Sequence, residues 1–315
     1  MKRLKLVPDN TSFPFVKYRH IAVGVSVAIM IISVVLLFAR GLNFGIDFEG
    51  GTVIEIGTKG PADISGLRAQ LAELGLGDVQ LQRFGEDNDV LIRIGTAHGA
   101  VVTDDAGQIA VKKVKDALGT SVEYRRIESV GPQVSGELIR SATMAVLVAV
   151  ALMFVYIWFR FEWQFGLGAV LALAHDVLAT IGVFALLQME FNLTTIAALL
   201  TIVGYSMNDT VVVFDRIREN LRKYKKMDLG ELIDLSINET LARTIMTSAT
   251  TLIALFALFI FGGEVIRSFT FAMIFGIFVG TYSSIFVAAP VLIAIGVKRE
   301  WGSGALGRGK VEKKA

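Results

Sequence analysis

The chain has 315 residues, 53% of them hydrophobic and 19% charged, with a formal net charge of +2. Mean hydropathy is +0.60, and the apolar residues fall in long runs, which places the chain among membrane proteins rather than soluble domains. Cysteine is absent, which excludes disulfides, thiolate nucleophiles and thiolate metal sites, and fits an exported domain.

Residues 1–20 are basic and polar, with Lys2, Arg3, Lys5, Lys17 and Arg19. Residues 21–39 then run without a charge and are long enough to span a bilayer. The run exceeds the apolar core of a signal peptide, so we read an uncleaved anchor with its N-terminus in the cytoplasm, following the positive-inside rule.

Residues 40–137 are of a different kind, charged and broken into short alternating segments. Residues 52–56 alternate like a strand, and 62–74 carry Ile64, Leu67, Leu71 and Leu74 at helical spacing. Residues 79–84 and 89–94 are strand-like runs joined by Gly-Glu-Asp-Asn, a turn composition. Residues 109–118 place Val111, Val114 and Leu118 on one helical face, and 122–127 form a last strand. The order βαββαβ is that of a ferredoxin-like α+β domain, large enough to bury its own core.

Five further apolar segments occupy residues 138–297, at 139–159, 165–187, 193–214, 244–261 and 269–297. The connections at 160–164, 188–192 and 262–268 are short, so neighbouring helices form antiparallel hairpins. The fold class expected is therefore an α-helical polytopic membrane protein: six transmembrane helices, with the ferredoxin-like domain between the first and second. Six spans return residues 298–315 to the cytoplasm, where Lys298, Arg299, Arg308, Lys310, Lys313 and Lys314 lie, and the 216–226 loop is also basic. Residues 40–137 then lie outside, in the periplasm. Within the cytoplasmic segment 215–242, residues 229–241 gather Leu229, Leu232, Ile233, Ile237 and Leu241 on one face, which reads as an amphipathic helix lying on the membrane surface.

Three spans carry ionisable residues away from their ends. An aspartate at mid-bilayer depth costs roughly 2.5–3.5 kcal/mol on insertion scales, so such a residue is buried, paired or working. Asn208 and Asp209 fall inside the fourth span, with four apolar residues still to come before Asp215; the competing reading is an aspartate close enough to the cytoplasmic end to reach headgroups. In the third span, next to His175, Asp176 shares a four-residue row with Gly168, Ala172 and Thr180, a small and polar stripe that faces other helices. Thr201, Tyr205 and Asp209 form the matching row of the fourth span, and Arg243, Thr247 and Thr251 that of the fifth, with Thr250 alongside. Antiparallel geometry brings Asp209 and Arg243 to one depth, where the guanidinium would hold the carboxylate charged until a movement separated them and admitted a proton; snorkelling of Arg243 to the surface is the bland alternative. In the sixth span Ala272, Gly276, Gly280, Ser284 and Ala288 read as a packing stripe and not as chemistry, with a kink at Pro290.

Four stretches resemble the SecF family, part of the resistance-nodulation-division superfamily: GLNFGIDFEGGTVIEI at 41–56, VGPQVSGEL at 130–138, LAHDV at 173–177 and GYSMNDTVVVFDRIREN at 204–220. The resemblance runs in order over nearly the whole chain. It implies a subunit that pairs with SecD, two six-helix halves making a twelve-helix unit, and that uses the proton gradient of the cell (inner) membrane to help preproteins across after SecYEG and SecA have acted, with YajC and YidC as further partners. It places functional intramembrane roles on Asp209, Arg243 and Asp176, supported by Asn208, Tyr205, Thr247 and Thr251. It implies no cofactor, no metal, no nucleic acid and no enzymatic activity; the other partners are preproteins and lipid. Two other readings use the same residues: an intramembrane aspartyl protease with Asp176 and Asp209 as its dyad, and half of a proton-driven small-molecule exporter. The paired YD and GxGD motifs of such proteases are missing, as are zinc and serine hydrolase motifs.

Overall fold

The computed structural model describes residues 11–77, 79–83, 85–95 and 105–297. The basic residues of 1–10 and 298–315, and Phe84 at the end of the second expected strand, lie outside the described residues.

Among the described residues, six helical segments are long and apolar enough to cross a membrane. They are α1 (Arg19–Arg40), α5 (Pro132–Arg160), α6 (Trp163–Leu187), α7 (Leu193–Lys223), α8 (Leu229–Phe261) and the last segment, α9 (Arg267–Ser283) continued by α10 (Ala289–Ile295). Half of the most apolar stretch of the last segment is buried, against 6% in α5. The last segment is therefore central and α5 peripheral. The sixth span is one continuous helical segment, as expected, with an irregularity inside it. Residues Ser284–Ala288 form a π turn between α9 and α10, and Pro290 opens α10. Proline lacks the N–H that an α-helix needs and its ring crowds the carbonyl one turn earlier, so the widened turn precedes it.

Between α1 and α5 come the short strand β1 (Asn43–Phe44) and the helical turn α2 (Ile46–Glu49), then β2 (Gly51–Thr58), α3 (Ile64–Ala72), β3 (Val79–Arg83), β4 (Asp89–Ile94), α4 (Asp105–Leu118) and β5 (Val122–Val130). From β2 onward the element order is the βαββαβ expected. The four strands are antiparallel in the spatial order β3-β4-β2-β5. Ile54, Ile56, Val90, Ile92 and Ile94 on one sheet face meet Leu71, Val114 and Leu118 from the helices in a separate core. Alternation at period 2 in the strands and 3.6 in the helices is what sorts these residues to one side.

The joint between sheet domain and helices was not anticipated. Phe44 and Asn43 pair in parallel with Phe191 and Glu190 of β6 (Glu190–Phe191), in the turn between α6 and α7. The Asp47 carboxylate accepts the Leu193 N–H at 2.9 Å, adding to the Asn192–Thr195 capping box at the start of α7, and the Asp47 carbonyl accepts the Ser135 hydroxyl of α5 at 3.0 Å. Gly50 and Gly51 follow with φ of +70° and +116°; a Cβ on Gly51 would lie 2.4 Å from the Ile94 carbonyl oxygen. Glycine is required there on both counts. The second spanning helix starts at Pro132, directly after β5, rather than at 138.

The amphipathic stretch 229–241 does not lie on the membrane surface. It is the first half of α8, continuous with the fifth span. Leu232, Ile233 and Ile237 are fully buried, together with Val213, Phe214 and Ile217 of α7, so their apolar face is covered by protein and not by lipid. Asn220 donates to Ser236 and Glu239 across this pair, and the Asp234 carboxylate accepts the Val16 N–H at 2.8 Å.

Two outcomes follow. Gly51→Ala should destabilise the sheet domain by about 1–3 kcal/mol, the range for a residue forced into a glycine-only conformation, whereas Gly60→Ala, which meets nothing within 4 Å, should be nearly neutral; thermal unfolding in detergent compares them. Burial pushes the Glu190 carboxyl up, opposed by Arg93 and reinforced by Asp47. A carboxyl raised on folding favours the joint below its unfolded pKa of about 4.3, and that contribution disappears as pH rises through the raised value. Amide protection at Gly45, whose N–H bonds the Phe191 carbonyl, should be higher at mildly acidic pH after correction for intrinsic exchange. Glu190→Gln should abolish the difference; an unchanged pH dependence would exclude Glu190 as its origin.

Candidate functional site

Gly276 and Gly280 bring α9 against α7. A Cβ on Gly276 would lie 2.3 Å from Ile202 Cδ1, and one on Gly280 would lie 3.0 Å from Ser206 Cβ. Small residues permit this approach, and with little apolar driving force between helices in lipid, close packing is what holds them together. The rows Gly168–Ala172–Asp176–Thr180 and Ala272–Gly276–Gly280–Ser284–Ala288 are buried throughout.

That approach delivers two adjacent hydroxyls to two carboxylates. Ser283 donates to Asp176 Oδ2 at 2.8 Å, and Ser284, the first residue of the π turn, donates to Asp209 Oδ2. Ser206 of α7 adds a second donor to Asp176 Oδ2 at 2.5 Å, and Thr244 of α8 donates to Asp209 Oδ1 at 2.5 Å. The other Asp176 oxygen lies 3.0 Å from His175 Nδ1. Asp176 and His175 are fully buried, and Asp209 is 8% exposed. Ser206 stands one turn before Asp209 on α7, and Ser283 precedes Ser284, so two separate hydrogen-bonded clusters drawn from α6, α7, α8 and the last segment lie side by side. Charge-assisted bonds of this kind are the strong ones, and they keep ionisable groups tolerable in a dry interior.

Several expectations change here. Arg243 forms no ion pair with Asp209 among the described residues; Thr244 and Ser284 hold the carboxylate instead, and Arg243 is exposed on the flank of α8. One residue is 100° of helix, so the position that bonds Asp209 is Thr244, while Arg243 stays within electrostatic reach of the carboxylate without bonding it. The rows of the fourth and fifth spans face inward only in part: Asp209 is buried, Tyr205 and Thr251 are half-buried and bonded across the helices at 3.4 Å, while Thr201 and Thr247, with Asn208 and Thr250 beside them, are exposed. Ser284 packs, as its row does, and also bonds Asp209. Ser206, Ser283 and Thr244 were not foreseen as partners. A hydroxyl in an apolar helix usually bonds its own backbone, as Thr180, Thr201 and Thr250 do here, so sequence gives no signal of which ones cross over.

A bundle of six membrane-spanning segments that buries two carboxylates, with a small sheet domain fastened to its helix ends, defines a polytopic membrane protein of the transporter-like kind. Residues 110–298 match the family model described as Protein export membrane protein SecD/SecF, C-terminal, and residues 35–62 match the SecD/SecF GG Motif, which contains the Gly50–Gly51 joint. The chain is 51% identical over 309 residues to the protein translocase subunit SecF of Rhodobacter capsulatus, covering 94% of this chain and 93% of the relative. It is 46% identical over 300 residues to that of Rickettsia bellii, with 94% and 97% covered. The crystal structure of SecDF from Thermus thermophilus, a translocon-associated membrane protein, superposes with a TM-score of 0.81 at 37% identity, over 92% of this chain and 39% of that one. SecDF in a super-membrane-facing form superposes with a TM-score of 0.66 over 91% of this chain and 39% of that one. The chain belongs to the SecF family of protein translocase subunits, and it spans about two-fifths of the SecDF chains.

The helix contact that assembles the site is testable by a double-mutant cycle. Gly276→Ala should destabilise the protein by about 1–3 kcal/mol through overpacking against Ile202. Ile202→Ala in the same chain should recover part of that loss, with a coupling of at least about 0.5 kcal/mol. Additive effects in thermal unfolding would refute direct contact.

Proposed function

We propose that the chain is the SecF half of a SecDF complex, that it resides in the cell (inner) membrane with both termini cytoplasmic and residues 40–137 outside, and that it uses the proton gradient to assist late translocation of preproteins delivered by SecYEG and SecA. The observation that carries this reading is the burial of Asp209 in the bundle with hydroxyls as its hydrogen-bond donors, beside a second buried carboxylate, Asp176. A carboxylate whose bonds come only from hydroxyls can be neutralised by one proton without stranding a buried cation, because a hydroxyl serves as donor or acceptor. Protonation of Asp209 then changes whether Thr244 and Ser284 donate or accept, and with it the relative fit of α7, α8 and the last segment. The driving force is roughly 2.3 kcal/mol per charge per 100 mV.

A SecD partner is supported by the unpartnered side of α7 and α8. Thr194, Ala197, Thr201, Gly204 and Asn208 line one exposed face of α7, and Arg243, Thr247 and Thr250 line that of α8. Small and polar stripes of this sort pack against helices rather than lipid. Arg243 would be covered when the second half docks, which is where its part in the relay would be played. YajC and YidC would bind elsewhere on the assembly. The chain acts as a transporter subunit and not as an enzyme: an aspartyl protease would need its two carboxyls to share a proton directly, whereas Asp176 and Asp209 each bond their own set of hydroxyls.

Completion of export of a preprotein stalled late in translocation, in inverted vesicles with and without an imposed gradient and at matched subunit levels, tests the reading. Asp209→Asn should bring the ratio of the two rates to one, and Asp209→Glu should retain part of the stimulation. Undiminished stimulation in Asp209→Asn would end the proposal.

A further inference from the structure

One polar side chain of the site is unaccounted for by the carboxylate clusters. His175 is fully buried in the middle of α6; its Nδ1 lies 3.0 Å from Asp176 Oδ1, while its Nε2 is buried with no hydrogen-bond partner among the described residues. Leaving a buried polar atom unmatched is unfavourable, and a residue placed only to hold Asp176 would not need a second nitrogen there.

We propose that His175, and not Asp176, is the proton-holding group of this half of the site, with Asp176 as its fixed counter-charge. The proposal rests on the proton-driven reading above and extends it to a second station. The hydrogen bonds settle the direction. Asp176 Oδ2 already accepts two hydroxyls, from Ser206 and Ser283, the surroundings of a carboxylate rather than of a carboxylic acid. The remaining oxygen then accepts Nδ1–H of His175, which fixes the tautomer and leaves a lone pair on Nε2. Uptake of one proton there converts imidazole to imidazolium and takes the dyad from a charge of −1 to 0, with no bond to Asp176 broken.

The elements packed around the dyad carry no competing cation near it. Helix α1 presents Ser26, which donates to the Tyr282 hydroxyl at 3.1 Å; α7 presents Ser206 and, one turn on, Asp209. The last segment presents Tyr282, whose ring lies 6.0 Å from the His175 ring, with Ser283 and Ser284. Among these the charged groups are the two carboxylates alone, and both favour an imidazolium. Ser283 and Ser284 are adjacent in sequence, so a shift of the π turn that alters one carboxylate's bond alters the other's.

Two measurements on the full-length chain assembled with its SecD partner test this. Nitrogen-15 NMR of histidine-labelled protein in lipid nanodiscs, with His175 assigned from its loss in His175→Asn, should show Nε2 passing from unprotonated to protonated as pH falls between about 8 and 5, and Asp176→Asn should displace that transition. A ring in one protonation state across this range overturns the proposal even where a variant folds poorly. In inverted vesicles, His175→Asn keeps a donor in the place of Nδ1 but removes the base, and should bring the gradient stimulation ratio to one, while His20→Asn, at the exposed start of α1, should leave it unchanged. Loss of stimulation in Asp209→Asn with full retention in His175→Asn would overturn the role of His175 alone. Retention in both would overturn it together with the reading on which it rests.

Discussion

Two carboxylates inside an apolar bundle must be given donors by the helices themselves, and the adjacent pair Ser283–Ser284 supplies one to each. Successive residues of a helix point about 100° apart, so a helix wedged between α6 and α7 can serve both sides at once. This works only if the backbone of that helix comes close, and Gly276 and Gly280 allow it. The widened turn that begins at Ser284 sets the angle at which the second hydroxyl leaves the helix. Packing, backbone irregularity and electrostatics are thus one arrangement, and a change in any of them is felt by Asp176 and Asp209 together.

Much of the architecture is legible in the sequence because the bilayer imposes it. Long uncharged runs have few alternatives to spanning helices, and the alternation within β2 and β4 has few alternatives to strands packed on one face. Asp176 and Asp209 stand out for the same reason: a carboxylate in an apolar run needs an explanation residue by residue. What a sequence does not carry is the rotation of each helix about its axis. Antiparallel reasoning brings Arg243 to the depth of Asp209 but cannot say that Thr244 occupies the facing position. The donors from Ser206, Ser283 and Thr244 are hidden likewise, since neighbouring hydroxyls bond their own helices. The stretch 229–241 shows a third limit. An apolar face is visible in the sequence, but whether lipid or protein covers it depends on α7 extending to Lys223 beside it.

The joint between the sheet domain and the helices lies beyond sequence reading for another reason. Its two halves, Asn43–Phe44 and Glu190–Phe191, are each too short to announce a strand, and they come from opposite ends of a long excursion of the chain. The Gly50–Gly51 pair is the visible trace of it: a sharp reversal that only glycine can make, immediately after the turn whose aspartate caps α7.

That joint gives the sheet domain two unequal attachments. One is covalent, from β5 through Gly131 into α5 and from β2 back through α2 and β1 into α1. The other is a two-rung ladder together with the bond from Asp47 to the first N–H of α7, the helix that carries Asp209 farther along. A load on the sheet is shared between them until the hydrogen-bonded attachment gives way, after which the chain itself remains as tether, to α1 at one end of the domain and to α5 at the other. Small displacements of the domain therefore reach the start of α7 directly through the ladder and the Asp47 bond, and not only along the chain.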